Sequence, residues 1–480
     1  MTEYSLITKN GLRDNDIIPK SLFVELKLNT LFSDNTLDIL SRPCDVEDIV
    51  ARQEIIRTLE TDTAAKERFT LLYKKLAQFS KTFDRYKKSD NDCVRLFVFK
   101  DFVSCYFSAL DADLPAGGYF FDRLSARFSE LKTKSRVMRD TFAEYVRLLD
   151  KISRSRLVFS ERGYYLSDDT LKENTTALDL IIKDADALGW GRKAAEDDKA
   201  IPFVSPLSKH LIALYPDDFE KLAELEKTLS DGVDIRLLSL ISEADFYFDI
   251  LRLVQKADLQ NIPHTYPTPA DVPSFTAIEL YDVALLSVEI EKIVPNDVLV
   301  TPDDRCYFIC GANGGGKTTY LRSVASQLIM FLGGCPICCR SAEIYAYTKI
   351  FGHFPHDEDS YQYGRLDREI HDVKEIVDNC DNESFVFLNE TFSGGTQSKA
   401  AELALSTMEK LSDKGCSCLF VTHLNEVYNS AFPVLSPVVS NDASHTRTYR
   451  IDRSGKPGGA YAGDILKKYE LDKNSLGDRS

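Results

Sequence analysis

A glycine-rich stretch, "GANGGGKTT" at Gly311 to Thr319, carries the residue types that could hold a phosphate group. It fits the pattern G-x-x-x-x-G-K-[ST], and it lies between an apolar run at Cys306 to Cys310 and an apolar helical pattern. Glycines allow backbone N–H groups to turn inward around phosphate oxygens, and a helix that begins there points its positive end at them. Lys317 is expected to contact the outer phosphates, and Thr318 is expected to ligate Mg²⁺. The residues expected to surround a nucleotide are Gly311, Ala312, Asn313, Gly314, Gly315, Gly316, Lys317, Thr318 and Thr319.

A phosphate site of this kind needs an acidic partner on a neighbouring strand, and "FVFLNE" at Phe385 to Glu390 supplies one. Glu390 is placed to orient or deprotonate a water molecule as a general base. The preceding position usually holds an Asp that serves the metal, but here it is Asn389. Its amide oxygen can still accept a hydrogen bond, although such bonds are worth about 1 kcal/mol against about 1.5–3 for charged groups. We therefore expect Asn389 to serve the metal more weakly rather than to abolish the site.

A third apolar run, "LFVTHLNEV", ends in polar residues where a strand would meet its loop. Thr422 and His423 stand at that point, where a polar group could sense the terminal phosphate. A lone histidine is more often structural, but its position at the end of a strand favours a catalytic role for His423.

The loop after the acidic strand reads "SGGTQ" and begins at Ser393. Locally it resembles the signature loop of ABC transporter ATPases. That signature should precede the acidic strand, whereas here it follows the strand and leads into a helix from about Thr396. An ABC-type or SMC-type ATPase is therefore the less favoured interpretation.

Together these motifs resemble the ATPase domain of the MutS family, the DNA mismatch-repair ATPases. Order and spacing match from Val294 to Val427. The matching segments are "VPNDV" with Asn296 and Asp297, "GANGGGKTT" with Asn313, "GRLDREIHDVKEIV", "NETFSGGT" and "FVTHLNEV". The resemblance implies ATP and Mg²⁺ as cofactors, DNA as a partner and a homodimer with nucleotides near its interface.

The N-terminal half is also similar to that family. Thr36 to Leu59 resembles the start of the helical core and lever domain, from which a DNA-contacting clamp emerges. A basic segment, Leu131 to Arg156, holds eight basic and three acidic residues and lies in a suitable place for a clamp. The plainer interpretation is a solvated helix face. The residues expected to contact DNA are Lys132, Lys134, Arg136 and Arg139.

Other features depart from the family pattern. The core-like segment begins so early that we expect a short form without the mismatch-recognition domain, and Phe23 in "FVE" is interpreted as a core residue. The segment that reaches the partner's nucleotide usually begins with Ser, but Gly364 occupies that position and Ser360 lies one turn away. Contacts across the dimer are expected from Ser360, Gly364, Ser393 and Gly394.

The elements that must position these residues change in kind along the chain. Apolar stripes at helical spacing, such as Phe69, Leu72, Leu76 and Phe79, predict a mostly helical region up to about residue 290. After the proline-rich stretch His264 to Ser274, short β-rich runs alternate with helices, which predicts a parallel sheet covered on both faces. We predict a helical core and lever domain at 1–275, with the basic clamp segment at 131–156, followed by an α/β P-loop NTPase domain at 276–480.

Composition limits the class of protein. The net charge of −16 means that DNA contact requires a local basic patch. The N-terminus lacks the order of a signal peptide, and the longest uncharged apolar run, Leu328 to Cys339, is too short to span a bilayer. We expect a cytoplasmic protein with no membrane partner.

The chain has eleven cysteines, an odd number that predicts reduced thiols rather than a disulfide framework. Zinc binding at Cys335 to Cys339 would require a second C-x-x-C pair, which the sequence does not offer. Buried thiols that pack as small apolar side chains are the favoured interpretation.

The sequence therefore predicts a MutS-like ATPase in which ATP binding and hydrolysis open and close helical arms around nucleic acid. A competing hypothesis is a nucleotide-gated scaffold that binds ATP with little hydrolysis. Asn389 and Gly364 are the residues that favour this alternative.

Overall fold

Apolar side chains recur at helical spacing among the described residues up to Leu259, and most of those residues are helical. The computed structural model describes residues 4–11, 17–153, 156–160, 163–167, 204–288, 293–355, 362–439 and 447–453. The helices are α1 (Lys20–Glu25), α2 (Asp34–Leu40), α3 (Val46–Thr61), α4 (Thr63–Lys87), α5 (Asp92–Leu110), α6 (Tyr119–Ser153), α7 (Val204–Leu214), α8 (Pro216–Gly232), α9 (Ser239–Leu259), α10 (Lys317–Leu332), α11 (Gln362–Asn379) and α12 (Gln397–Asp413).

Strands dominate the second half of the described chain. They are β1 (Arg156–Ser160), β2 (Gly163–Ser167), β3 (Thr268–Ala270), β4 (Phe275–Leu280), β5 (Asn296–Val300), β6 (Cys306–Cys310), β7 (Ser341–Tyr345), β8 (Lys349–His353), β9 (Ser384–Asn389), β10 (Ser417–Thr422), β11 (Val434–Val439) and β12 (Arg447–Arg453). In the described ranges they form a β1–β2 hairpin, a four-stranded sheet β3-β7-β4-β5 and a six-stranded sheet β12-β11-β6-β10-β9-β8.

The chain divides into two compact units. One comprises Met1–Leu6 and Thr58–Ala244, and the other comprises Ile7–Arg57 and Asp245–Ser480. The division falls inside α3 and α9, so each of these helices contributes to both units. The domain boundary predicted at residue 275 does not coincide with the limits of these two units. It stays a prediction.

Aromatic side chains hold the helices of the first unit together. Phe79 of α4 stacks on Phe102 of α5 with ring centroids 5.3 Å apart. The hydroxyl of Tyr145 in α6 donates to the Leu96 carbonyl at 2.8 Å, which satisfies a buried polar group. The predicted stripe on α4 is confirmed, because Phe69 and the residues that share its face are buried.

The six-stranded sheet carries the core of the second unit. Strands β8, β9, β10, β6 and β11 run parallel, and β12 pairs antiparallel with β11. Every residue of β6 and β10 is buried, which requires cover on both faces of the sheet. On one face Ala404 and Met408 of α12 join the cluster that contains Phe308 and Val386. The predicted parallel sheet is confirmed for these strands.

Some elements were not predicted. The basic segment is helical up to Ser153, but Arg156 begins β1, where "RLVFS" has the β-branched and aromatic content of a strand. The four-stranded sheet was also missed, because its strands are short and far apart along the chain. Phe23 is buried in α1, which confirms its interpretation as a core residue.

All eleven cysteines are free thiols, and all except the half-buried Cys105 are buried. Their interpretation as small packed side chains agrees with this burial. Among the helices of the described residues, none is long and apolar enough to cross a lipid bilayer.

Candidate functional site

The glycine-rich loop joins β6, which ends at Cys310, to α10, which begins at Lys317. Gly311, Gly314 and Gly316 have φ angles of +148°, +73° and +94°. This left-handed range favours glycine, because a Cβ atom would be strained there. The first turn of α10 also leaves backbone N–H groups without partners inside the helix. The loop thus has the backbone geometry that an anion-binding site requires.

Pro437 in β11 closes the back of this loop. A Cβ atom on Gly311 would lie 2.6 Å from Pro437 Cδ, and one on Gly315 would lie 2.7 Å from Pro437 Cγ. Tyr428 supports the start of the loop, since its hydroxyl donates to the Cys310 carbonyl at 3.2 Å. Sequence reasoning missed Pro437, because a proline far along the chain gives no local signal of contact with this loop.

Lys317 occupies the inside of the loop. Its Nζ donates to the carbonyls of Gly311 and Ala312 at 2.8 and 3.1 Å and to Asn313 Oδ1 at 3.3 Å. Burial lowers the pKa of Lys317, and the carboxylate of Glu390 acts in the opposite direction. An anion in the loop could replace these oxygen acceptors and stabilise the buried charge.

Strand pairing brings the two predicted metal-site residues together. In the parallel register Cys310 pairs with Thr422, and Val421 pairs with Asn389. Thr318 at the start of α10 then donates its hydroxyl to Asn389 Oδ1 at 3.2 Å. A hydroxyl and an amide oxygen are both oxygen groups, the ligand type that Mg²⁺ prefers. The donor set therefore fits a magnesium ion, although neither group carries a formal negative charge.

Glu390 follows β9 directly and has an unusual backbone. Its φ angle is +47°, and Phe392 nearby has +70°. A non-glycine residue in this region costs about 1–3 kcal/mol and persists only where the surroundings impose it. The Glu390 N–H donates to the Val421 carbonyl at 2.8 Å, which helps to hold the turn. The carboxylate is half-buried and lies within electrostatic reach of Lys317.

Thr422 and His423 lie where β10 ends, at the same sheet edge. The Thr422 hydroxyl accepts a hydrogen bond from the Leu424 N–H at 3.2 Å, so it closes the local turn. His423 is exposed, whereas Thr422 is buried. Because His423 is exposed, a ligand could contact its side chain. The catalytic role of His423 stays a prediction.

The residues predicted to act across a dimer lie on two elements. Ser393 is exposed and Gly394 half-buried in the loop between β9 and α12. Gly364 is exposed in α11, and no atom of the described residues lies within 4 Å of the position of a Cβ atom there. Ser360 lies outside the described residues. Their role in a dimer stays a prediction.

Asn296 joins β5 to β12 beside the glycine-rich loop. Its Nδ2 donates to the Tyr449 carbonyl at 3.2 Å, and its Oδ1 accepts from the Ile451 N–H at 2.7 Å. The position of a Cβ atom on Gly316 would be 3.7 Å from the Tyr449 carbonyl oxygen. A cavity of about 490 Å³ opens here, with Asn296, Tyr320 and Ile451 in its lining. The residues that line this cavity come mainly from β4, β5, β11 and β12, and Tyr320 is its lining residue from α10.

The predicted DNA-contacting residues divide between two faces of α6. At 3.6 residues per turn, Lys132, Arg136 and Arg139 share one face, and Lys134 lies on the other. Lys134 pairs with Glu130 at 2.7 Å. Arg139 pairs with Asp111 at 2.8 Å. Arg136 is exposed, so Lys132 and Arg136 are the better candidates for contact with a nucleic acid.

Arg139 also has a structural role in the first unit. Its guanidinium lies 4.4 Å from the centre of the Phe107 ring, in addition to its ion pair with Asp111. Replacement of Arg139 would therefore remove packing between α5 and α6 as well as charge.

Residues 307–445 match the family model described as MutS domain V. That domain is the ATPase domain of MutS proteins, and here it follows a helical region and includes mixed α/β sheet structure. The class of protein is therefore one with a C-terminal ATPase-type domain.

Individual relatives extend the match beyond that domain. Endonuclease MutS2 of Thermotoga sp. (strain RQ2) is 25% identical over 415 residues, with 82% of this chain and 51% of that protein covered. Endonuclease MutS2 of Clostridium kluyveri (strain NBRC 12016) is 28% identical over 261 residues, with 52% and 32% covered. Over these matched segments the chain is similar to MutS-family proteins. It spans about half the length of the Thermotoga relatives that it matches.

The contact with Pro437 predicts a steric requirement for Gly315. Gly315→Ala should lower the free energy of unfolding by about 1–3 kcal/mol, because the added methyl group overpacks the loop. Urea denaturation measures this change. Pro437→Gly in the same chain should restore part of the loss, because it removes the ring atoms that the methyl group meets.

Gly364→Ala is the matched control, since a Cβ atom there would meet no atom of the part of the chain that the structure describes. Its stability should be unchanged or raised, because alanine favours helices over glycine. Equal losses in Gly315→Ala and Gly364→Ala would contradict the steric argument.

Proposed function

We propose that the chain is a MutS-like, ATP-dependent DNA-binding protein with a P-loop NTPase domain. ATP binding and hydrolysis would open and close a dimeric clamp on DNA, in a mismatch-repair-like or recombination-related process. The observation that carries this proposal is the convergence of Lys317, the Thr318–Asn389 pair and Glu390 at one edge of a parallel sheet. Two of these residues lie at the start of α10, after the glycine-rich loop, and the other two lie at the end of β9 and directly after it.

The loop and Lys317 would bind the phosphates of ATP. Backbone N–H groups at the start of α10 face the loop, and the buried ammonium would exchange its carbonyl acceptors for phosphate oxygens. The cavity lined by Asn296, Tyr320 and Ile451 would take the nucleoside. Binding of a nucleotide would therefore use the loop and the neighbouring β5–β12 junction together.

Thr318 and Asn389 would hold Mg²⁺, directly or through its water shell. The ion would neutralise charge on the phosphate oxygens and help to align them. Glu390 would orient the attacking water and accept its proton. The turn at Glu390, held by the Val421 carbonyl, fixes the carboxylate near Lys317 and the loop.

Contacts with a second subunit and with DNA complete the proposal. Ser393 and Gly364 would contribute to a homodimer interface near the nucleotide, and the basic face of α6 would approach the DNA backbone. The name endonuclease describes the relatives, of which the match covers 51% or less, and we propose no nuclease activity for this chain.

A second candidate function is a nucleotide-gated scaffold that binds ATP and changes shape with little hydrolysis. Asn389 favours it, because the amide oxygen holds a metal less firmly than a carboxylate does. Gly364 also favours it, because glycine has no side chain with which to contact a partner's nucleotide.

Steady-state ATP turnover separates the two functions. Glu390→Gln should keep ATP binding and lower kcat by about 10²–10⁴-fold, because the general base is lost. Lys317→Ala should lose ATP binding. Binding is measured with a fluorescent ATP analogue, and turnover by phosphate release.

Glu402→Gln, on the exposed side of α12, is the matched control and should turn over ATP like the wild type. If the wild type and Glu390→Gln turn over ATP at the same low rate while Lys317→Ala stops binding, the scaffold is the correct function.

Asn389→Asp restores the charge that metal sites of this type usually have. The Mg²⁺ concentration for half-maximal turnover should fall by about 2- to 30-fold, since a charged acceptor is worth about 0.5–2 kcal/mol more than a neutral one. The measurement is a magnesium titration of ATP turnover.

The matched control is Asn382→Asp, which makes the same substitution just before the amino end of β9, away from the loop. Its magnesium titration should be the same as that of the wild type. The same midpoint in Asn389→Asp and the wild type would contradict a metal-binding role for Asn389.

Neutralisation of the basic face should weaken DNA binding. Lys132→Gln with Arg136→Gln should reduce affinity and lower the slope of log K against log salt by about 2, because each phosphate contact contributes about 0.9. Fluorescence anisotropy with duplex, branched and mismatched DNA provides the measurement.

Lys134→Gln, on the opposite face, should leave this slope unaltered. A loss with Lys134→Gln as large as that of the double variant would show that net charge, rather than this face, attracts DNA. Unchanged binding in the double variant would contradict the clamp.

A further inference from the structure

The turn that carries Glu390 contains two residues in the left-handed backbone region. Glu390 has a φ angle of +47° and Phe392 one of +70°, and Thr391 lies between them. Residues other than glycine are strained in this region and stay there only where the surroundings hold them. On the β10 side the Glu390 N–H donates to the Val421 carbonyl at 2.8 Å. Strand β8 lies on the other side of β9 and supplies a second restraint.

His353, the last residue of β8, provides this second restraint. Strand β8 runs parallel to β9 with His353 beside Leu388 in the register, so the imidazole is near the turn that follows β9. His353 Nδ1 and Thr391 Oγ1 are 3.0 Å apart, which is a hydrogen-bonding distance. Thr391 is 3% exposed, so its hydroxyl would be costly to leave without a hydrogen-bond partner.

Helix α11 lies near the other nitrogen of the imidazole. Asp372 Oδ2 is 3.9 Å from His353 Nε2, too far for a direct hydrogen bond but close enough for electrostatic attraction. This carboxylate favours a proton on Nε2, and Nδ1 then accepts the hydrogen bond that the Thr391 hydroxyl donates. The His353 side chain is only 11% exposed, so packing limits the orientations that the imidazole can adopt.

We propose that His353 is a positioning residue for Glu390. Through Thr391 it holds the turn from the β8 side, while the Val421 carbonyl holds the turn from the β10 side. The imidazole acts on the Glu390 carboxylate through the backbone and does not itself take a proton from the attacking water. This inference rests on the proposed role of Glu390 as general base, whereas the restraint on the turn can be measured without ATP.

Loss of the restraint should allow the Glu390 carboxylate to adopt more orientations. A general base must lie within hydrogen-bond reach of the water that it deprotonates, so fewer molecules would be ready to react. ATP binding should be retained, because Lys317 and the glycine-rich loop are held by contacts of their own. The expected result is a lower kcat with an unaltered affinity for ATP.

Two amide substitutions at position 353 distinguish the two imidazole nitrogens. The amide of His353→Asn overlies Nδ1 and can still accept from Thr391, whereas the amide of His353→Gln extends toward the position of Nε2. His353→Gln should lower kcat by about 2- to 10-fold, the worth of one neutral hydrogen bond. His353→Asn is the matched control and should keep most of the turnover. Both variants should bind a fluorescent ATP analogue like the wild type.

A double-mutant cycle tests whether His353 acts through Thr391. Thr391→Val removes the hydroxyl at nearly constant volume and should lower kcat as much as His353→Gln does. Thr391→Ser keeps the hydroxyl and should keep most of the turnover. The variant with both His353→Gln and Thr391→Val should lose no more than either single variant, because all three lack the same hydrogen bond.

Hydrogen exchange of the full-length chain, followed by mass spectrometry, measures the restraint without ATP. The peptide that spans Glu390 to Phe392 should exchange faster in His353→Gln and in Thr391→Val than in the wild type, because the turn opens more often. In His353→Asn and Thr391→Ser it should exchange like the wild type. The peptide that contains β6 is the internal control and should be unaltered in every variant.

The proposal is overturned if the turn peptide exchanges equally in His353→Gln and the wild type. Losses of kcat that add in the double variant, or that are equal in His353→Asn and His353→Gln, would also overturn it. So would a loss of ATP affinity as large as the loss of kcat, because the substitution would then disturb the glycine-rich loop. If the wild type turns over ATP no faster than Glu390→Gln, the proposed hydrolysis fails instead, and hydrogen exchange alone decides whether His353 holds the turn.

Discussion

The parallel, in-register pairing of β6, β10 and β9 is the constraint on which the candidate site depends. Carboxyl ends of parallel strands meet at one edge of a sheet, so Cys310, Thr422 and Asn389 come side by side although they are distant in sequence. The glycine-rich loop then starts where β6 ends, and Glu390 starts where β9 ends. A shift in this register would separate Thr318 from Asn389 and would also turn buried side chains toward the wrong face.

The site combines a buried charge with a constrained backbone. Lys317 is almost fully buried and satisfied by oxygen atoms of its own loop, while Glu390 adopts a left-handed turn that the adjacent strand holds. Both features cost free energy, which the surrounding structure must offset. Pro437 limits how far the loop could relax, because its ring fills the space behind the glycines. A stiff, preorganised loop is the physical outcome.

The two edges of the same sheet differ in chemistry for a topological reason. Helix N-termini and strand carboxyl ends gather at the loop edge, where polar residues and glycines dominate. The opposite edge contains the short connections into the strands, and there Cys306, Cys380 and Cys416 pack together. In the first unit, a basic side chain can pack on an aromatic ring and form an ion pair at the same time. Arg139, which packs on Phe107 and pairs with Asp111, is an example. Because Lys134 and Arg139 are paired with carboxylates, α6 offers fewer basic side chains to a ligand than its sequence suggests.

The sequence by itself determined the local elements. The order of glycines before Lys317 predicted the loop between β6 and α10, and the apolar runs predicted β9 and β10, because these signals depend on neighbouring residues only. Short strands such as β3 and β7 escaped prediction, since their pairing joins distant segments. Only the tertiary structure decided that Pro437 supports the loop and that Thr318 meets Asn389. Each of these contacts joins residues from separate parts of the chain, and its distance is set by sheet register and packing rather than by local preference.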